Sequence, residues 1–251
     1  MEIPEHIAAL RREGELLAAA AERTDLDSRI PTCPDWRMRD LVRHMGDVHR
    51  WAAAHLADRR LMPIRKVGEV AGPLPVDADL LDWFREGHVR LLDTLESADP
   101  DVQCWTFLPA PSAVAFWARR QAHETGIHRA DAESPGGSIT EFAPGFAVDG
   151  IDELLLGFFA GPDDKSPVDS RRTLHLHAAD ADGEWLVRVG TKGLEASREH
   201  ADADCTVLGS ASDLDLLLWN RRTPDGLDVV GDDSLLSFWR ETVQIHWSRG
   251  R

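Results

Sequence analysis

The chain is poor in cysteine, in lysine and in long apolar runs. Cysteine occurs only at Cys33, Cys104 and Cys205, far apart and odd in number. That excludes a paired CxxC metal unit, argues against a disulfide framework and points to a reducing compartment. Lysine is confined to Lys66, Lys165 and Lys192. The 28 Lys plus Arg stand against 44 Asp plus Glu, a formal charge of -16. A surface so charged repels nucleic acid and anionic membranes, and neither is expected as a partner. Glu2, Glu5, Arg11, Arg12, Glu13 and Glu15 interrupt the first thirty residues, so neither a signal peptide nor a membrane span is expected and the protein is placed in the cytoplasm. Internal repeats and low-complexity tracts are also missing.

What is present suits two compact domains, since 251 residues can bury a substantial core without disulfide staples. Apolar residues recur with helical period over 5–21, 38–56, 80–98 and 113–133, which predicts a four-helix bundle with one long connection. That connection, around 62–77, is rich in Pro and Gly, a composition suited to the rim of a site. Ser134, Pro135, Gly136 and Gly137 end the fourth segment, and 142–150 reads as a linker. Strand-like runs follow at 174–177, 185–189 and 205–208, with helical runs at 214–219 and 235–247. The expected architecture is a bundle over 1–141 followed by a smaller α+β domain over 142–251.

The most telling local feature is HETGIHRADAE, residues 123 to 133. Glu124 and His128 are four apart, about 40° around a helix, whereas His123 and His128 are about 140° apart, so this is not a zincin HExxH. The shared face continues through Val114, Trp117 and Gln121, where an ionisable pair carries a desolvation cost that a bound cation would offset. The same spacing also suits a helix-surface pair or a satisfied core hydrogen bond. A second helix, opened by turn residues Pro34 and Asp35, carries Leu41, His44, Val48 and Trp51 on one stripe and supplies another inward histidine. Two His and one Glu form a three-ligand zinc set with an open fourth position, the catalytic arrangement, although such donors also accept nickel, cobalt or iron. His49 and His88 compete for the role; His88 would close the site if it were a fourth ligand. His175 and His177 share a strand face with no third ligand suggested nearby, and read as structural.

The CPDW turn, DLVRHMGDVHRW, AHETGIHRADAE and DCTVLGSASDLDLLLWNRR together resemble the mycothiol-dependent maleylpyruvate isomerase-like family over nearly the whole chain. The resemblance implies a DinB-like four-helix metal-binding domain and a sterol-carrier-like second domain. It implies zinc held by His44, Glu124 and His128, and mycothiol as the thiol cosubstrate of a cis-trans isomerase or thiol transferase acting on a small electrophile. The thiol need not come from the chain: Cys33 precedes a turn at the bundle edge, and Cys104 and Cys205 read as small packing residues rather than the nucleophile. The family's functional arginine maps onto Arg221, beside Arg222, as a fork for a substrate carboxylate; a surface arginine capping a helix end is the plain alternative. Asp131 would either orient His128 or pair with Arg129. Trp51 and Trp117 would line the pocket or fill the core. Asp35 and Asp47 depart from the family pattern, which bears on substrate identity. A different class, a non-catalytic small-molecule binding module with a structural metal, is the competing expectation.

Overall fold

A computed structural model describes residues 1–65, 67–159, 172–190 and 193–243. The chain divides into two compact units, one comprising Met1–Thr140 and a second beginning at Glu141. The first unit contains four long helices: α1 (Ile3–Arg23), α2 (Met38–Ala57), α3 (Leu80–Ser97) and α4 (Ala113–Glu133). Their starts are chemically marked. Pro4 sits in the first turn of α1, where its missing N–H costs nothing, and Glu5 accepts from the Glu2 backbone N–H. Asp40 does the same for Arg37 at the start of α2, and the Ser112 hydroxyl accepts from Ala115 N–H at the start of α4. Leu17, Ile30, Met38, Leu41, Met45, Leu80, Phe84 and Ala132 form one buried cluster joining all four helices.

Three features differ from the sequence reading. Residues 33–37 are not a turn but strand β2 (Cys33–Arg37), paired antiparallel with β1 (Arg29–Ile30). Pro34 is tolerated because a two-stranded ribbon leaves it on an edge. On α2 the fully buried row is Leu41, Met45, His49 and Ala52, while His44, Val48 and Trp51 are only partly buried. The predicted His44 stripe is therefore the shoulder of the buried face. Helix α4 has no solvent face over most of its length: 19 of its residues are buried, including Arg120, Glu124, His128, Arg129, Asp131 and Glu133. A helix so placed must find partners for each of those groups.

The second unit opens with α5 (Pro144–Asp152), which corrects the linker expected at 142–150. Pro144 occupies the first turn of this helix, so it starts the element instead of breaking it, and Phe146, Ala147 and Ile151 are buried. A five-stranded sheet follows, built from β3 (Arg172–Ala178), β4 (Glu184–Gly190), β5 (Gly193–Ser197), β6 (Cys205–Gly209) and β7 (Asp228–Gly231) in the order β5-β4-β3-β6-β7. Only β3 and β6 run parallel. Helices α6 (Ala211–Leu218) and α7 (Ser234–Thr242) complete the described part; residues 244–247 of the predicted last helix lie outside it. A bundle followed by a smaller α+β unit is the architecture expected from the sequence.

Candidate metal centre

His44 from α2 meets Glu124 and His128 from α4. One ring nitrogen of each histidine and a carboxylate oxygen lie within 4.8 Å of one another. Nε2 of His44 and Nε2 of His128 are each 3.4 Å from the same Glu124 Oε1. That exceeds the roughly 2.7–3.2 Å of a good N–H···O bond. It matches the edge of a tetrahedron of zinc ligands, where two donors at about 2.0–2.1 Å from one ion sit about 3.3–3.4 Å apart. The donor types and their spacing are compatible with a divalent transition metal, and without one they leave two long histidine–carboxylate contacts.

The surroundings fix these donors. Glu124 Oε2 accepts from Arg120, one turn earlier and 2% exposed, at 2.9 Å, which leaves Oε1 for the histidines. Nδ1 of His128 is 2.9 Å from Asp131 Oδ2. Asp131 is fully buried and also accepts from the Thr32 hydroxyl at 2.6 Å and from Cys33 Sγ at 3.4 Å. Of the two roles weighed for Asp131, the ring takes it; Arg129 instead bonds Glu13 at 2.7 Å and Glu133 at 2.8 Å. A carboxylate behind Nδ1 keeps the proton there and turns Nε2 toward the other donors. The Trp36 ring stacks on His128 with centroids 5.7 Å apart and lies 4.9 Å from His44, so β2 lays an apolar wall along both imidazoles.

Charge follows from this geometry. Burial lowers the His44 pKa, with His128 adding to the effect against the pull of Glu124. Burial would lower His128 too, but the bonds to Asp131 and Glu124 prevail and raise it from 6.5 to about 9. Burial alone would raise Glu124, yet its bonds with His128 and His44 and the Arg120 charge hold it well below the usual carboxylate range. Without a metal, the site contains one neutral and one cationic imidazole facing an ionised carboxylate.

The other candidates sit elsewhere. His49 bonds Thr125 Oγ1 at 2.9 Å in the core, and His88 Nε2 lies 3.0 Å from the Leu10 carbonyl oxygen, stacked on Phe84. His88 therefore does not close the site. Trp51 and Trp117 pack against each other, with Trp105 and His55 beside them, and their indoles donate to the Ile64 and Trp105 carbonyls. For Trp117, fully buried, this is the core role, while Trp51 stays partly buried at the edge of the same cluster. Arg221 lies in the second unit just past α6, its guanidinium donating to the Trp219 carbonyl at 2.8 Å. Arg222 is held by Asp213 and by the Thr223 and Asp225 carbonyls. Sequence reasoning missed Arg120, Trp36 and Thr32; only Arg120, four residues before Glu124, left a local signal.

Residues 7–133 match the mycothiol maleylpyruvate isomerase N-terminal domain, and residues 145–238 match the C-terminal domain of the same enzyme. The chain belongs to the mycothiol-dependent maleylpyruvate isomerase family. No curated protein sequence matches it. Among the solved structures that share its fold are the mycothiol-dependent maleylpyruvate isomerase, with TM-score 0.60, and a single-site variant of it, with TM-score 0.62. Each is 12% identical to this chain, over 91% of this chain and 93% of the other. The family fold is a DinB-like bundle followed by a sterol-carrier-like domain. Among the described residues, no helix is long and apolar enough to cross a membrane.

Proposed function

We propose that the chain is a zinc-dependent enzyme that uses mycothiol to isomerise or conjugate a small electrophile, with His44, Glu124 and His128 holding the metal. The observation that carries this reading is the pair of 3.4 Å separations onto one Glu124 oxygen. Zinc's two positive charges plus Arg120, set against Glu124 and Asp131, leave one positive charge, which favours the thiolate form of a thiol at an open position.

The chain's own groups do the rest. Asp131 holds the His128 Nδ1 proton, the two histidines and then Arg120 keep Glu124 ionised, and Trp36 keeps water from one side of both rings. Mycothiol supplies the sulfur. For an isomerisation, sulfur adds to a cis double bond conjugated to a carbonyl, and the displaced pair moves to the carbonyl oxygen. The new single bond rotates, and expulsion of the same sulfur restores the double bond as trans, so the thiol is regenerated. Conjugation stops after the addition, with the proton that the thiol gave up returned to the enolate carbon. Maleylpyruvate, named for the structural relatives, is the first substrate to assay. Arg221 is assigned the substrate carboxylate, because a guanidinium fork suits bidentate contact.

Thiol-dependent turnover by purified protein tests this. Zinc removal or His44→Ala should abolish it, and Arg221→Lys should lower it at least about tenfold with metal content unchanged. Turnover that survives zinc removal rejects the reading. Retained metal with neither thiol-dependent isomerisation nor thiol consumption by any electrophile would favour a binding module instead.

A further inference from the structure

A second cluster of metal-ligating side chains lies wholly within the second unit. His175 and His177 alternate along β3 and share one face of the sheet, while Leu174 and Leu176, on the opposite face, are completely buried. The β3–β4 register sets Glu184 directly opposite His177 and diagonal to His175. His200, three residues past the end of β5, reaches the same carboxylate: its Nδ1 is 2.9 Å from Glu184 Oε2. On that same oxygen, His175 Nε2 stands 3.8 Å away. His177 Nδ1 pairs with the other oxygen, Oε1.

His175 decides what the cluster is for. It is 3% exposed, and its Nε2 points at Glu184 without a hydrogen-bond partner. A buried ring nitrogen left unmatched costs free energy that a neighbouring donor, acceptor or ion would recover. One donor atom each from His175, Glu184 and His200 lies within 4.8 Å of the others. The sequence reading, which saw no third ligand near His175 and His177, is corrected by the pairing of β3 with β4 and by the segment that follows β5.

We propose that His175, Glu184 and His200 bind a divalent transition-metal ion of the zinc class, separate from the one assigned to the bundle. Two imidazoles and a carboxylate select zinc, nickel, cobalt or copper over calcium and magnesium, which take oxygen donors. His177 is the supporting partner, holding the carboxylate through its second oxygen so that Oε2 faces the other two donors. His200 has a side chain 76% exposed, so the ion has a route in and an open side. Once bound, it ties the segment after β5 to the β3–β4 pair.

The test uses the full-length chain, without an affinity tag, stripped by a chelator and titrated with zinc against a chromophoric competitor. Two equivalents are expected for the wild type, one for His44→Ala, one for His200→Ala and none for the double variant. An equivalence unchanged by His200→Ala overturns the inference. So does a single equivalent that only His44→Ala removes. A single equivalent that only His200→Ala removes supports the second-unit site and sinks the bundle site, so the two readings fail separately. His200 is exposed, and its truncation leaves the sheet intact. His175→Gln, close in size, is the second variant and should weaken this site at least about tenfold; unchanged affinity counts against the proposal.

Discussion

At the scale of single residues, the proton on His128 is the most consequential detail. Its pKa in the metal-free protein is about 9 against an ordinary 6.5. Below 6.5 the folded and unfolded chains both carry that proton and the stabilisation is complete. Between 6.5 and 9 only the folded chain holds it, so the contribution declines as pH rises and is gone above about 9. Thermal melts of metal-free protein should therefore show wild type losing stability relative to His128→Gln across that window. A difference between the two proteins that stays flat with pH would contradict the assignment. Asp131 acts on the same ring from behind. Asp131→Asn should cost about 10–100-fold in metal affinity while the melting profile stays cooperative; unaltered affinity would mean that the carboxylate serves packing and not the ring.

At the scale of elements, α4 carries the account, because a helix buried on all sides has to settle its own charges. Arg129, fully buried, is bonded to Glu13 on α1 and to Glu133 one turn on. Arg129→Leu takes the cation from Glu133 and leaves Glu13 with Arg12 alone, and should destabilise the protein by about 3–5 kcal/mol in urea unfolding. Adding Glu13→Gln should recover part of that loss, and a loss under about 1 kcal/mol would show that the carboxylates relax into water. The four bundle helices were legible because each is long and periodic. Shorter elements were not. Pro34 and Asp35 read as a turn, yet they sit in β2, where only tertiary pairing with Arg29 and Ile30 reveals a strand. Pro144, Gly145 and Gly150 read as a linker, yet they open and line α5. Strands β5 and β7 start or end on Gly193 and Gly231 and lack a clean alternation of burial. In the site, the Glu124–His128 spacing was visible along one helix. Thr32 and Asp131 are 99 residues apart and meet only in the fold.

At the scale of the whole molecule, the two units each present imidazoles to a single carboxylate: His44 and His128 at Glu124, His175 and His200 at Glu184. A chain with formal charge -16 draws cations toward it and discourages anionic polymers, which suits metal uptake. The bundle site is proposed to hold a metal with room for a sulfur from outside. The most direct measurement is zinc-edge X-ray absorption, with and without mycothiol, on the zinc-loaded His200→Ala protein, in which the bundle is the one proposed site left. A nitrogen and oxygen shell with two imidazoles is expected, joined by a sulfur at about 2.3 Å when the thiol is added. A closed shell of four protein donors that mycothiol leaves unchanged would contradict the proposal.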